Sequence, residues 1–299
     1  MNTTKSLKRV LGLAAMTAIA VGFAGPANAS PAPPKADTSL LGTWVNSNGL
    51  TRSVKQIVIV PNRSSSVNVD AFGSCTPTLC EWGSVPAITY GTSVSSTTGT
   101  AFQSNQRFLS RGAEWSRTSL QGNVVKTAVG LRLVVREMTV FEDGSGRRNY
   151  AVTDVFQRGE GKSITRLGLP VSTYPLGKAP ALTWAAFGSW TAVSPSGGLV
   201  SVKISGSPVA PVVSTAGQCS PTPCSWGSSR GITYGTSISS TVGGTVLAPF
   251  TFGFKKAQLV VQYTTLSTGQ PALRVYVYNE FTDGSGRSNY LLNQTFVRV

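Results

Sequence analysis

The strongest constraint on this chain is that it contains one unit twice. Residues 75–98 read CTPTLCEWGSVPAITYGTSVSSTT, and residues 219–242 read CSPTPCSWGSSRGITYGTSISSTV, identical at 16 of 24 positions. Asp143-Gly-Ser-Gly-Arg147-Arg-Asn-Tyr150 returns as Asp283-Gly-Ser-Gly-Arg287-Ser-Asn-Tyr290, and Gly42-Thr-Trp44 returns as Gly188-Ser-Trp190. The offset drifts from 146 to 144 to 140 along the chain, so the second copy has lost a few loop residues. Self-similarity on this scale means a duplicated domain. The copies are placed at 38–159 and 186–299, with a Pro- and Gly-containing linker at 160–185 and a flexible N-terminal tail at 30–37.

Ahead of the first copy, Lys5, Lys8 and Arg9 precede the apolar or small stretch Val10 to Phe23, and Ala27-Asn28-Ala29 has the small-residue pattern of a cleavage site. This order is that of a secretory signal peptide spanning 1–29 and cut between Ala29 and Ser30. The apolar stretch is shorter than a transmembrane span requires, and no cysteine at the cleavage site points to a lipid anchor. The expected location is therefore extracellular. Loss of the signal's three basic residues lowers the formal net charge from +15 to +12. That balance favours an anionic polymer as partner, or simply keeps an exported chain soluble. The Lys and Arg residues are scattered, and no specific nucleic-acid motif accompanies them.

Each copy is read as all-β. Gln56–Val60, Ser66–Ala71, Leu131–Phe141, Tyr150–Arg158, Gln258–Thr264 and Leu273–Phe281 are β-branched or aromatic runs bounded by Gly, Asn, Pro or Ser. Tandem antiparallel barrels are expected, with β-sandwiches as the alternative. The Asp-Gly-Ser-Gly turn supplies a register: Thr139 opposite Tyr150, Glu137 opposite Val152 and Leu133 opposite Phe156. Period-two alternation then turns Leu133, Val135, Glu137, Thr139 and Phe141 inward with Tyr150, Val152, Asp154, Phe156 and Arg158. The second copy presents Val277, Asn279, Tyr290, Gln294 and Arg298 in the same way.

Both copies open on Gly-x-Trp and end on Phe-x-Arg. That frame resembles the calycin superfamily of lipocalins, fatty-acid-binding proteins and avidins. The resemblance implies that Arg158 stacks on Trp44, and Arg298 on Trp190, to close one end of each barrel. The segment Gly73-Ser-Cys75-Thr-Pro-Thr-Leu-Cys80-Glu-Trp82-Gly83, with the Asp-Gly-Ser-Gly-Arg-x-Asn-Tyr turn, resembles exported bacterial β-domains of tandem kind with a Trp-Gly-x-Cys-x-Pro-x-x-Cys-Asp-Trp-Gly signature. No activity comes with that resemblance, and Phe72, Ala216, Glu81 and Ser225 depart from it.

With no histidine in the chain, Ser-His-Asp and Cys-His catalysis and His-ligated zinc are excluded. No cofactor is implied. Cys75/Cys80 and Cys219/Cys224 suit two local disulfides in an exported protein, with a redox pair or metal site as alternatives. Glu137 and Asp154 are weak catalytic candidates, as two inward carboxylates of the kind that act on sugars; the second copy lacks both. Ligand-binding candidates are Trp82, Tyr90, Thr139, Tyr150 and Asp154 in the first copy and Trp226, Tyr234, Asn279, Tyr290 and Gln294 in the second. The expected function is non-enzymatic binding, each barrel holding a small or extended ligand. Inhibition of an extracellular hydrolase, through a protein partner, or attachment to a cell-wall or anionic polymer is the alternative, and a glycoside-type hydrolase the weakest reading.

Overall fold

A computed structural model describes residues 33–62, 66–75, 78–110, 113–160, 164–165, 179–195 and 197–299. The signal-peptide segment lies outside the described residues, as does most of the segment read as a linker. The chain forms two barrel-like antiparallel sheets. Strands of the first are β1 (Gly42–Asn46), β2 (Val54–Pro61), β3 (Val67–Gly73), β4 (Leu79–Tyr90), β5 (Ala101–Ser110), β6 (Ala113–Thr127), β7 (Gly130–Phe141) and β8 (Tyr150–Arg158). They pair in the order β4-β3-β2-β1-β8-β7-β6-β5, and Ile88–Tyr90 of β4 pair with Ala101–Gln103 of β5 to close an eight-strand ring. The turn-derived register of β7 and β8 is present: Tyr150 faces Thr139, Val152 faces Glu137 and Phe156 faces Leu133.

The second sheet holds β9 (Gly188–Ala192), β10 (Leu199–Ser207), β11 (Ala210–Gly217), β12 (Cys224–Arg230), β13 (Ile232–Tyr234), β14 (Thr245–Thr251), β15 (Lys255–Thr265), β16 (Pro271–Phe281) and β17 (Tyr290–Arg298). It has nine strands because the counterpart of β4 is broken at Gly231, whose N–H turns to Pro211 O at 2.8 Å. A Cβ at Gly231 would lie 2.3 Å from Val246, so the close approach of β14 demands glycine where the first copy has Ala87. The second ring is therefore nearly closed, with β12 and β13 as the two ends of its sheet.

Alternation places one apolar face of every strand inside. Trp44, Ile57, Val69, Phe102, Leu133 and Phe156 belong to one buried cluster, and Trp190, Val202, Val213, Leu259, Val275 and Phe296 to its twin. Lys35–Ala36 pair in parallel with Thr98–Gly99, and Ala181–Leu182 with Val242–Gly243. Residues 35–36, in the segment expected to be a tail, and 181–182, in the one expected to be a linker, thus hold equivalent positions against the two barrels.

Candidate functional site

The repeated motifs build the frame around the site. In both copies the cysteine pair forms a disulfide, Cys75–Cys80 and Cys219–Cys224, spanning the hairpin between β3 and β4 or β11 and β12. No free cysteine and no cluster of three metal-ligating residues occurs among the described residues. Trp82 and Trp226 then fold back over the hairpin. A Cβ at Gly73 or Gly217 would stand 2.5 Å from the indole nitrogen, so these glycines make the space in which each ring lies. Phe108 meets Trp82 edge-on at 5.1 Å, and Phe252 meets Trp226 at 5.2 Å. In the turn motif, Arg147 pairs with Asp143 and covers the Phe141 ring at 4.1 Å; Arg287, Asp283 and Phe281 repeat this at 4.1 Å.

At the other end of each barrel the Arg158 guanidinium carbon lies 4.1 Å from the Trp44 ring centre, and that of Arg298 lies 4.8 Å from Trp190. Each indole donates to a backbone carbonyl four residues earlier, Leu40 or Ala186, at 3.0 Å. Gly42 and Gly188 have φ of +108° and +117°, and a Cβ on Gly42 would meet the Arg158 guanidinium at 2.6 Å. The Gly-x-Trp tripeptide is therefore a seat for the terminal arginine.

The interiors differ. In the first barrel, β5 and β6 turn Ser104, Gln106, Ser116 and Thr118 inward, and β7 adds Glu137 and Thr139, all buried. Their register equivalents in the second barrel are Ala248, Phe250, Lys255, Ala257, Val277 and Asn279. Thr118 and Thr139 hydroxyls bond at 2.8 Å, and Tyr150 lies against Phe141 with ring centres 6.1 Å apart. Gln106 donates across the barrel to Val69 O at 3.3 Å. Three buried atoms on this wall, Ser104 Oγ, Gln106 Oε1 and Glu137 Oε1, have no hydrogen-bond partner. Leaving such atoms dry costs about 1–3 kcal/mol apiece.

Glu137 and Asp154 are brought together through the loop between β1 and β2. The Ser53 hydroxyl donates to Glu137 Oε2, Asn46 donates to Asp154 at 2.9 Å and to Val54 O at 2.8 Å, and Thr51 donates to Asp154 at 3.4 Å. Burial pushes the Glu137 carboxyl up to about 8, opposed by hydrogen bonds from the Ser53 hydroxyl and the Val54 N–H and reinforced by the charge of Asp154. In the second copy one side chain does comparable work: Gln294 accepts from Leu199 N–H at 2.9 Å and donates to Leu199 O at 3.2 Å. Gln294 thus fastens a loop from within the wall. Asn279 accepts from Lys255 Nζ at 3.0 Å, and that amine sits 4.1 Å above the Trp226 ring. Tyr290 stacks on Phe281 at 6.0 Å.

Tyr90 and Tyr234 point outward, because they are one residue out of phase with the inward Thr89 and Thr233, and both enter a third apolar cluster between the barrels. There Tyr90 meets Tyr278 edge-on at 5.1 Å, and Arg136 lies 3.7 Å over Tyr276. The backbone contacts are reciprocal. Gly91 N–H donates to Asn289 O and Gly235 N–H to Asn149 O, both at 2.9 Å; Leu291 N–H donates to Gly91 O at 3.0 Å and Ala151 N–H to Gly235 O at 2.8 Å. Ser288 N–H to Val94 O and Arg148 N–H to Ile238 O complete the set at 2.8 Å each.

No family model, curated protein or solved structure matches the chain. No helix among the described residues is long and apolar enough to cross a membrane, and the two disulfides are compatible with an extracellular protein. Sequence reasoning missed Ser104, Gln106 and Thr118. Their signal lay in comparing the copies strand by strand: Phe102-Gln-Ser104-Asn-Gln106 alternates two polar faces where Val246-Leu-Ala248-Pro-Phe250 does not.

Proposed function

We propose that this is an exported, non-enzymatic binding protein whose first barrel takes a small polar ligand, while the second barrel is its filled twin. The supporting observation is the trio of buried, partnerless atoms on one inner wall: Ser104 Oγ, Gln106 Oε1 and Glu137 Oε1. A hydroxyl- or amide-bearing molecule would supply their missing bonds, in a wall otherwise lined by Thr118, Thr139 and Leu120. The two carboxylates hold the loop at residues 46–54, as Gln294 holds its counterpart, so loop fastening rather than acid–base work is the reading they support best.

The test replaces this inner wall by that of its twin. Thermal shifts of the full chain against small polyols, amides and amino sugars should reveal one stabilising class. The variant S104A/Q106F/E137V should lose that stabilisation while remaining folded by circular dichroism. Stabilisation that survives in this variant, or the absence of any responding class, would reject the proposal.

A further inference from the structure

Two of the cavities at the seam between the barrels measure about 250 and 460 Å³. They are images of one another under the same reciprocity that relates the backbone contacts. Ile88 and Tyr90 line the smaller as Ile232 and Tyr234 line the larger, and the facing walls exchange Lys256 for Arg117 and Tyr278 for Met138. The cavities adjoin, with Asn105 and Gln258 in the walls of both. Gln103 donates to Gln258 at this junction, and Gln121 adds a bond to the same oxygen at 3.2 Å. The result is one elongated cleft with an amide waist.

Its chemistry is asymmetric. Arg107 and Arg117 stand exposed on the larger arm, each already engaged by a partner, and Lys256 on the smaller, where the acid Glu280 also lies. Arg117 pairs with Glu142 at 2.7 Å; exposed pairs of this kind contribute little, so a ligand carboxylate can exchange into them at little cost. The tyrosines of the floor are about as buried as core residues, at 2% exposure for Tyr90, Tyr234 and Tyr278, so no open ring face is offered for stacking a nucleobase. Amides at the waist suit hydroxyl groups, and guanidinium groups at one end suit carboxylates.

We propose that this cleft binds an extended acidic polysaccharide, its carboxylates on Arg107 and Arg117 and its hydroxyls on Asn105 and Gln258. The inference is independent of the ligand proposed for the first barrel.

The experiment is calorimetry of the full chain with oligogalacturonates, dextran, poly-glutamate and single-stranded DNA at physiological salt. Oligogalacturonate should bind and the other three should bind at least about tenfold more weakly. R107Q/R117Q should weaken binding about tenfold, whereas R52A/K126A/K203A, which removes three cations elsewhere, should change it less than about twofold. N105W, an exposed substitution at the waist, should block the cleft without disturbing a core, and S104A/Q106F/E137V should leave binding intact. Equal losses in the two charge variants would reduce the effect to diffuse net charge. Comparable binding of DNA or poly-glutamate, full binding by N105W, or no binding of oligogalacturonate would each overturn the proposal.

Discussion

Glu137 shows how much one buried carboxyl governs. Its pKa is raised from an ordinary 4.5 to about 8, so between those values the folded chain holds a proton that the unfolded chain has released. Stability contributed by this proton is full below 4.5 and is lost as pH rises through about 8. Denaturant titrations from pH 4.5 to 8 should therefore show falling stability, and E137Q should flatten that slope. Lys255 has the opposite sign. Burial lowers its amine from 10.5 to about 8, so the folded chain gives up its proton first and gains stability as pH rises between those values. K255M should be more stable than the parent at pH 7, with the advantage shrinking toward pH 10. Glu137 was visible in the sequence as an inward carboxylate because the Asp-Gly-Ser-Gly turn supplied its register. Lys255 was not, because it begins β15 after Phe252-Gly-Phe254 and no nearby turn gives its phase.

Among elements, the disulfide hairpin is the part most completely announced by sequence, although Trp82 and Trp226, read there as ligand contacts, pack over it. Its residues occur twice in the same order, and local spacing alone brings Cys75 to Cys80. The reason for Gly73 is not local, since the indole that occupies its side-chain space returns only after a bulge that shifts the register between Asp70 and Phe72. G73A should displace Trp82, shift its fluorescence and cost about 1–3 kcal/mol by overpacking. G217A should act alike on Trp226. An unchanged emission spectrum in either variant would contradict this account. The break at Gly231 was equally hidden, because Ile232-Thr-Tyr234 reads as a continuation of the preceding strand until β14 presses against the glycine.

At the scale of the whole molecule, the repeated Ile-Thr-Tyr-Gly and Arg-x-Asn-Tyr segments meet each other across the seam rather than serving the interiors. Single-sequence reasoning places Tyr90 and Tyr234 as ligand contacts because a hydroxyl-rich strand with Tyr, Thr and Ser on alternating faces suits a polar ligand; in the folded chain each tyrosine is covered by the opposite barrel. The apolar seam and its six crossed backbone bonds should make the halves unfold as one unit. Calorimetry of the parent should show a single transition, and Y90A/Y278A should split it in two. The contacts between the halves are self-complementary in the sense of a two-fold dimer, each donor in one half repeated by its counterpart in the other. Nothing in such a junction distinguishes a half of the same polypeptide from the corresponding half of a neighbour. Only tethering favours the internal partner, by raising its effective concentration, so crowding many molecules together opens a path to dimers that trade halves while keeping every bond of the monomer.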